Sequence, residues 1–201
     1  MARTKDPAIR LRLIERAAQM LRAREPITLR SVVADTGLST MAVYTYFGSM
    51  DGLWRAMRQE GFTRLAARLA AVAPSADPVR DLAALGAAYV SNALAHPDLY
   101  RVMFDSGFDL EDPAAADEGL LHFVRAVERA REAGRFPGGT DAPALATRTW
   151  IVGHGLASLT AAGPLPREAL SAGPALLTAV FVDAGDDPVQ CGRSVAEGWT
   201  L

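Results

Sequence analysis

The stretch from Thr28 to Trp54, TLRSVVADTGLSTMAVYTYFGSMDGLW, leaves this chain few ways to fold. Thr28, Ser39 and Ser49 are helix-capping residue types, and the runs that follow the first two are too short for more than about two turns. Gly37 and Gly48 punctuate those runs, and glycine enters the left-handed region without strain. The spacing predicts a helix ending at Gly37, a tight turn, a helix over Thr40 to Phe47, and a further helix start at Ser49. Val32, Val33, Leu38, Val43 and Phe47 then need a cover. The preceding segment supplies one, because Ile9, Leu13, Ala17, Met20 and Leu21 fall on one helical face. Asp6-Pro7 opens that first helix, and Glu25-Pro26 stops it near Arg24.

The remaining chain also reads as helices, and no segment alternates as a strand would. A fourth helix, roughly Met50 to Val72, buries Leu53, Trp54, Met57, Leu65 and Leu69. Pro74 to Pro78 is the clearest break. Helices are then expected over Val79 to Ala95, from Pro97 through Phe104, over Ala114 to Ala133, and over Pro143 to Ala161. The acidic loop Asp105 to Asp112 reads as mobile, and Gly173-Pro174 should kink or shift a last helix within Glu168 to Ala184. The tail beyond Asp186 reads as poorly ordered. The expected fold is all-α: a three-helix helix-turn-helix domain over 6–66, with the motif at about 29–48, and a larger helical domain over 67–201.

Charge narrows the function classes. The net charge of −2 is uninformative, but residues 1–60 carry +4 and residues 61–201 carry −6. The basic bias thus sits on the helix-turn-helix end, as a nucleic-acid footprint requires. Half of the residues are hydrophobic, which argues against disorder. Cys191 is the only cysteine, and no apolar run has the length of a signal peptide or a membrane span, so the expectation is a soluble, cytoplasmic protein with no membrane contact.

A short helix carrying hydroxyls and aromatic residues suits the major groove of double-stranded DNA. Thr40, Met41, Thr45 and Tyr46 are expected on its outer face, with Tyr44 to one side. Threonine hydroxyls meet base edges, threonine and methionine methyls meet the thymine methyl, and tyrosine hydroxyls hold phosphates. The chain here resembles the TetR family of transcriptional repressors. The resemblance rests on Thr28, on Ala34-Asp35-Thr36-Gly37-Leu38-Ser39, on Val43-Tyr44-Thr45-Tyr46-Phe47 and on Ser49-Met50-Asp51-Gly52-Leu53, and it covers about residues 8–60. It implies a dimer on a palindromic operator, contacted by Thr28, Arg30, Ser39, Thr40, Met41, Tyr44, Thr45, Tyr46 and Ser49. Two positions depart from the family pattern. Tyr46 stands where histidine is usual, and Met50 where a phosphate-reaching lysine is usual. The helix Thr40 to Phe47 contains neither Arg nor Lys, so a bidentate guanine contact must come from Arg30, or from Arg3 and Lys5 on the leading arm.

The carboxyl part shows no catalytic signature. His96, His122 and His154 lack metal-ligand spacing, and Ser158 and Ser171 lack the strand-turn-helix setting of a nucleophile elbow. No catalytic residue, metal or cofactor is expected. Residues 96–104, HPDLYRVMF, and 150–156, WIVGHGL, resemble segments of TetR carboxyl domains, which implies a small-molecule sensor that also dimerises. Tyr89, Met103, Phe104, His122, Phe123, Trp150 and His154 combine apolar bodies with a few polar handles, as a small apolar or amphipathic ligand requires, although each also fits a core. Leu156, Leu159, Leu176, Leu177, Val180 and Phe181 are candidates for a four-helix dimer interface, with Gly155 allowing close approach. The alternatives are an activator or ligand-independent regulator, or a helical carrier or enzyme.

Overall fold

The computed structural model describes residues 6–105, 107–161 and 163–201; Arg3 and Lys5 of the expected basic arm lie outside them. Among the described residues all regular structure is helical. In chain order it comprises α1 (Pro7–Ala23), α2 (Leu29–Val33), α3 (Thr40–Phe47), α4 (Met50–Ala70), α5 (Pro78–Ala95), α6 (Pro97–Met103), α7 (Ala115–Glu132), α8 (Ala142–Ala161), α9 (Gly173–Asp183) and α10 (Pro188–Gly198). A 3-10 turn, Arg167–Ala172, precedes α9, so Gly173-Pro174 moves the helix start as expected. None of the helices is long and apolar enough to cross a membrane.

Two compact units form. The first runs to Thr63 and includes Asp98–Pro113; the second joins Arg64–Pro97 to Ala114–Leu201. In the first unit Leu13, Ile14, Ala17, Val32, Val43, Leu53 and Met57 are wholly buried in one cluster. No sequence signal sets Asp98–Pro113 apart, yet its packing explains the grouping. Leu99 and Val102 of α6 enter that same core. Arg22 pairs with Asp98 at 2.9 Å, and Arg58 donates to the carbonyls of Met103, at 2.8 Å, and of Phe108. The Trp54 and Phe108 rings stack at 5.4 Å, Asp112 donates its N–H to Gln59 at 2.9 Å, and Arg10 pairs with Glu111 at 2.5 Å. The loop expected to be mobile is therefore tied to α1 and α4 at several described residues.

In the second unit α5 is buried along most of its length, with α7, α8 and α10 against it and α9 packed on α8 and α10. Asp77 caps α5, accepting from the N–H groups of Val79 and Arg80 at 3.0 and 3.2 Å. Beyond Asp186 the structure overturns the expectation of a poorly ordered tail. Asp187-Pro188 is the same cap-plus-proline signal as Asp6-Pro7 and Asp77-Pro78, and Asp187 accepts from the Gln190 N–H at 2.8 Å. Cys191 and Val195 are wholly buried, and Trp199 fills the space left by Gly173, where an added Cβ would lie 2.2 Å from its ring. The polarity of the segment hid a helix that is apolar on only one face.

Burial, with the negative charge of Asp186 nearby, pushes the Cys191 thiol up to about 12. The native thiol should therefore ignore an alkylating reagent at pH 8 and react once urea unfolds the chain; equal rates in both states would show that α10 is not docked. A pKa raised above its ordinary 9.0 gives a stability contribution that is complete below pH 9 and is lost as the pH rises toward the folded value.

Candidate nucleic-acid interface and sensor residues

The reading motif is assembled from its caps inward. Thr28 and Ser31 form a reciprocal capping box at the start of α2: the Ser31 N–H donates to Thr28 Oγ1 at 3.2 Å, and the Thr28 N–H donates to Ser31 Oγ at 2.8 Å. α2 then ends at Val33, four residues before Gly37. The early stop has a local cause. Asp35 and Gly37 both take positive φ, 59° and 70°, and Asp is among the few side chains that tolerate this. Buried Thr36 pins the turn, its hydroxyl donating to the Val33 carbonyl at 2.7 Å and accepting from the Leu38 N–H at 3.2 Å. Arg12 of α1 donates to the Thr36 carbonyl at 2.7 Å, so the turn is also held from outside. Thr36 and Arg12 carry no contact signature, and sequence reasoning missed both.

α3 has one buried anchor, Val43, with Ala42, Tyr46 and Phe47 packed beside it. Its outward stripe consists of Met41, Tyr44 and Thr45, a helical i, i+3, i+4 set. Met41 is 63% exposed and Tyr44 46%. The expected placement of Tyr46 on the outer face is therefore corrected. Tyr46 lies three positions from Val43 and shares its inward side, and its hydroxyl accepts the Asp6 N–H at 3.0 Å while keeping a proton to donate. Tyr44 takes the outward position instead. Thr40 is half-buried, and the Thr45 hydroxyl donates to the Met41 carbonyl at 2.8 Å, leaving lone pairs outward. Ser39 stands at the N-cap of α3 without a side-chain cap bond, contrary to expectation, and is exposed. Ser49 does cap α4, accepting the Gly52 N–H at 3.0 Å. Arg30 and Thr28 are exposed at the start of α2. Met50 is half-buried and packs on the core, which explains an apolar residue at that position.

The expected sensor residues do not form one group. Met103 and Phe104 belong to the amino-terminal unit, Met103 wholly buried over Gly61 and Phe104 edge-on to Phe62 and Tyr100. In the carboxyl-terminal unit Tyr89, Trp150 and His154 come together. The Tyr89 hydroxyl lies 2.9 Å from His154 Nδ1, Ser158 Oγ lies 3.2 Å from Nε2, and the Trp150 ring centroid is 5.3 Å from the imidazole. Burial holds His154 below its ordinary value, so near neutral pH one ring nitrogen donates and the other accepts. Ser158 is a partner that helical spacing from His154 could have revealed. Phe123 is buried. His122 lines a separate cavity of about 290 Å³ with Leu69, Val72, Leu85, Arg125 and Arg129.

The candidate dimer surface is likewise redrawn. Leu177 and Phe181 are wholly buried, Phe181 against Phe136 and Leu177 near Gly86, and Leu156 is buried as well. One face of α9 serves the core, leaving Leu176 and Val180 on the other. On α8 the outward row is Ile151, Gly155 and Leu159, at four-residue spacing; Ile151 is 57% exposed and Leu159 43%. Nothing lies within 4 Å of where a Gly155 Cβ would stand. Ile151 is not among the residues that the sequence pattern assigns to this surface.

Comparisons with known proteins agree with this architecture. The family model described as "Tetracyclin repressor-like, C-terminal domain" matches residues 82–188. No curated protein sequence matches. Among solved structures, a TetR-family regulatory protein from Rhodococcus is similar at 21% identity and TM-score 0.70, over 89% of this chain and 98% of that one. The TetR-family regulator PfmR from Thermus thermophilus is similar at 18% identity and TM-score 0.69, over 85% and 97%. RolR, solved in complex with resorcinol, shows 16% identity and TM-score 0.63 over 97% and 96%. With more than half of its length inside the family's carboxyl domain and a capped, three-helix reading motif ahead of it, the chain belongs to the TetR family of transcriptional regulators.

Proposed function

We propose that this chain is a cytoplasmic homodimer that represses transcription from a palindromic operator and releases it on binding a small ligand, without enzymatic activity. The observation that carries the reading is the stripe Met41, Tyr44 and Thr45, presented by a short helix whose other side is locked by Val43. Ser39, Thr40, Thr28 and Arg30 flank it, with Tyr46 and Ser49 at its far end as phosphate donors. Without a basic residue on α3, base preference rests on Thr45 and Met41 and on DNA shape. The division between the two units, Thr63 to Arg64, falls within α4, so one helix belongs to both reader and sensor; a ligand that prefers one spacing of the two readers then shifts DNA affinity. Half-sites one turn apart require readers about 34–36 Å apart.

A gel shift of the DNA upstream of the chain's own gene tests this. Tyr44→Ala should weaken binding to all sequences, whereas Thr45→Ala should change the preferred base. If neither alters binding, α3 does not read DNA. Met50→Lys should tighten operator binding and steepen its salt dependence by about 2 logarithmic units per dimer, one phosphate being gained on each half-site. An unchanged salt slope would place residue 50 away from the backbone. Dimerisation through the apolar rows of α8 and α9 predicts that Leu159→Glu combined with Leu176→Glu yields a folded monomer in sedimentation. A dimer that survives both changes uses another face. Tyr89, Trp150 and His154, and His122 at its separate cavity, are the residues proposed for ligand contact.

A further inference from the structure

The cavity at His122 has an unbalanced charge. It is bounded by the end of α4, the start of α5 and α7, with Leu69, Val72, Leu85 and Ala126 making an aliphatic lining. At about 290 Å³ it lies at the small end of ligand sites. Among the described residues Asp81 is the one carboxylate in its wall, and its oxygens are already committed. They accept from the Ser75 N–H at 2.8 Å, the Ser75 hydroxyl at 2.6 Å and Arg129 Nη1 at 2.8 Å. Arg129 spends its other terminal nitrogen on the Ser75 carbonyl at 2.6 Å. Arg125, in the same wall, makes no ion pair among the described residues. His122 beside it is held below its ordinary value by burial and by the charge of Arg125, against the opposing pull of Glu118. It therefore offers a neutral ring with one donor. The cavity thus joins an uncompensated guanidinium and a ring N–H to an apolar floor.

We propose that this cavity binds a small organic anion, a carboxylate on a compact apolar body, with Arg125 pairing the carboxylate, His122 donating to it, and Leu69, Leu85 and Ala126 covering the tail. The inference rests on the ligand-responsive reading above and gives the ligand its chemical class. An amine of the same shape meets Arg125 as a like charge. A neutral alcohol forfeits the charge-assisted hydrogen bonds that a guanidinium forms with a carboxylate.

The test uses the full-length protein and four probes: hexanoate, hexanol, hexylamine and acetate. Calorimetric titration should give saturable binding of hexanoate alone, acetate failing because it lacks the tail. Arg125→Gln, a change at an exposed position, should weaken hexanoate binding by about tenfold or more while leaving the thermal midpoint of the unliganded protein unchanged. Equal binding of hexanol, hexanoate binding that survives Arg125→Gln, or no saturable binding of hexanoate each overturns the proposal. The operator shift of the unliganded protein requires none of these probes, so the regulatory reading and the anion site fail or stand separately.

Discussion

Replacing Arg135 with alanine is expected to destabilise the carboxyl-terminal unit by about 3–5 kcal/mol, the usual cost of removing one partner from a buried ion pair. Arg135 is only 9% exposed, and Asp186, its partner, only 1%. The guanidinium reaches both Asp186 oxygens at 2.8 Å, Asp77 Oδ1 at 2.8 Å and Ser194 Oγ at 3.1 Å. One side chain at the end of α7 thus joins the cap of α5 to α10 and to the turn before it. Its loss leaves Asp186 charged and buried without its partner, and urea unfolding followed by tryptophan fluorescence should show the deficit. A loss below about 1 kcal/mol would mean that water replaces the guanidinium there.

The same network sets an acid limit. Burial alone would raise the Asp77 carboxyl, but hydrogen bonds from Ser194 and from the Arg80 and Val79 N–H groups, together with the charge of Arg135, hold it below its ordinary 3.8. A carboxyl whose folded pKa is depressed contributes stability above the unfolded value, and that contribution is lost as the pH falls through the folded one. Stability should therefore fall below about pH 4, and less steeply in Arg135→Ala.

The second large effect is at Gly198, the last residue of α10. A Cβ there would stand 2.1 Å from the Arg80 carbonyl oxygen and 2.9 Å from the Ala83 Cβ. Neither is the end of a flexible side chain, so Gly198→Ala must displace α10 from α5, at a cost of about 3 kcal/mol. Gly192 on the same helix is the control. Nothing lies within 4 Å of its added Cβ and its φ is ordinary, so Gly192→Ala should stabilise by up to about 1 kcal/mol through helix propensity. Opposite signs at two glycines of one helix would show that α10 is docked on α5. Equal small effects would show that it is not.

Much of the amino-terminal unit is legible in the residues, because its signals are local. Asp6-Pro7 and Thr28 start α1 and α2 by capping and backbone chemistry alone, and α3 runs over Thr40–Phe47 between Ser39, which holds the N-cap position without a side-chain bond, and Gly48. The misreadings are of a different kind. Tyr46 and Tyr44 are both tyrosines on one short helix, and only packing against Val43 and Asp6 decides which of them faces out. Helix α10 escapes a local reading because its apolar residues, Cys191 and Val195, are few and gain meaning only against the surface that α5 and α9 present. Leu176 and Leu177 are adjacent and chemically identical, yet one is exposed and the other wholly buried.

By itself the sequence determined that the chain is helical, where its short reading motif begins and turns, and which family it belongs to, since caps, prolines, glycines and periodicity act within a few residues. Only the tertiary structure decided which side chains of each helix face outward, that Pro188–Gly198 is a docked helix, and that Arg125 beside His122 has no ion-pair partner among the described residues. Those outcomes depend on charges and surfaces brought together from distant positions, and no local pattern encodes them.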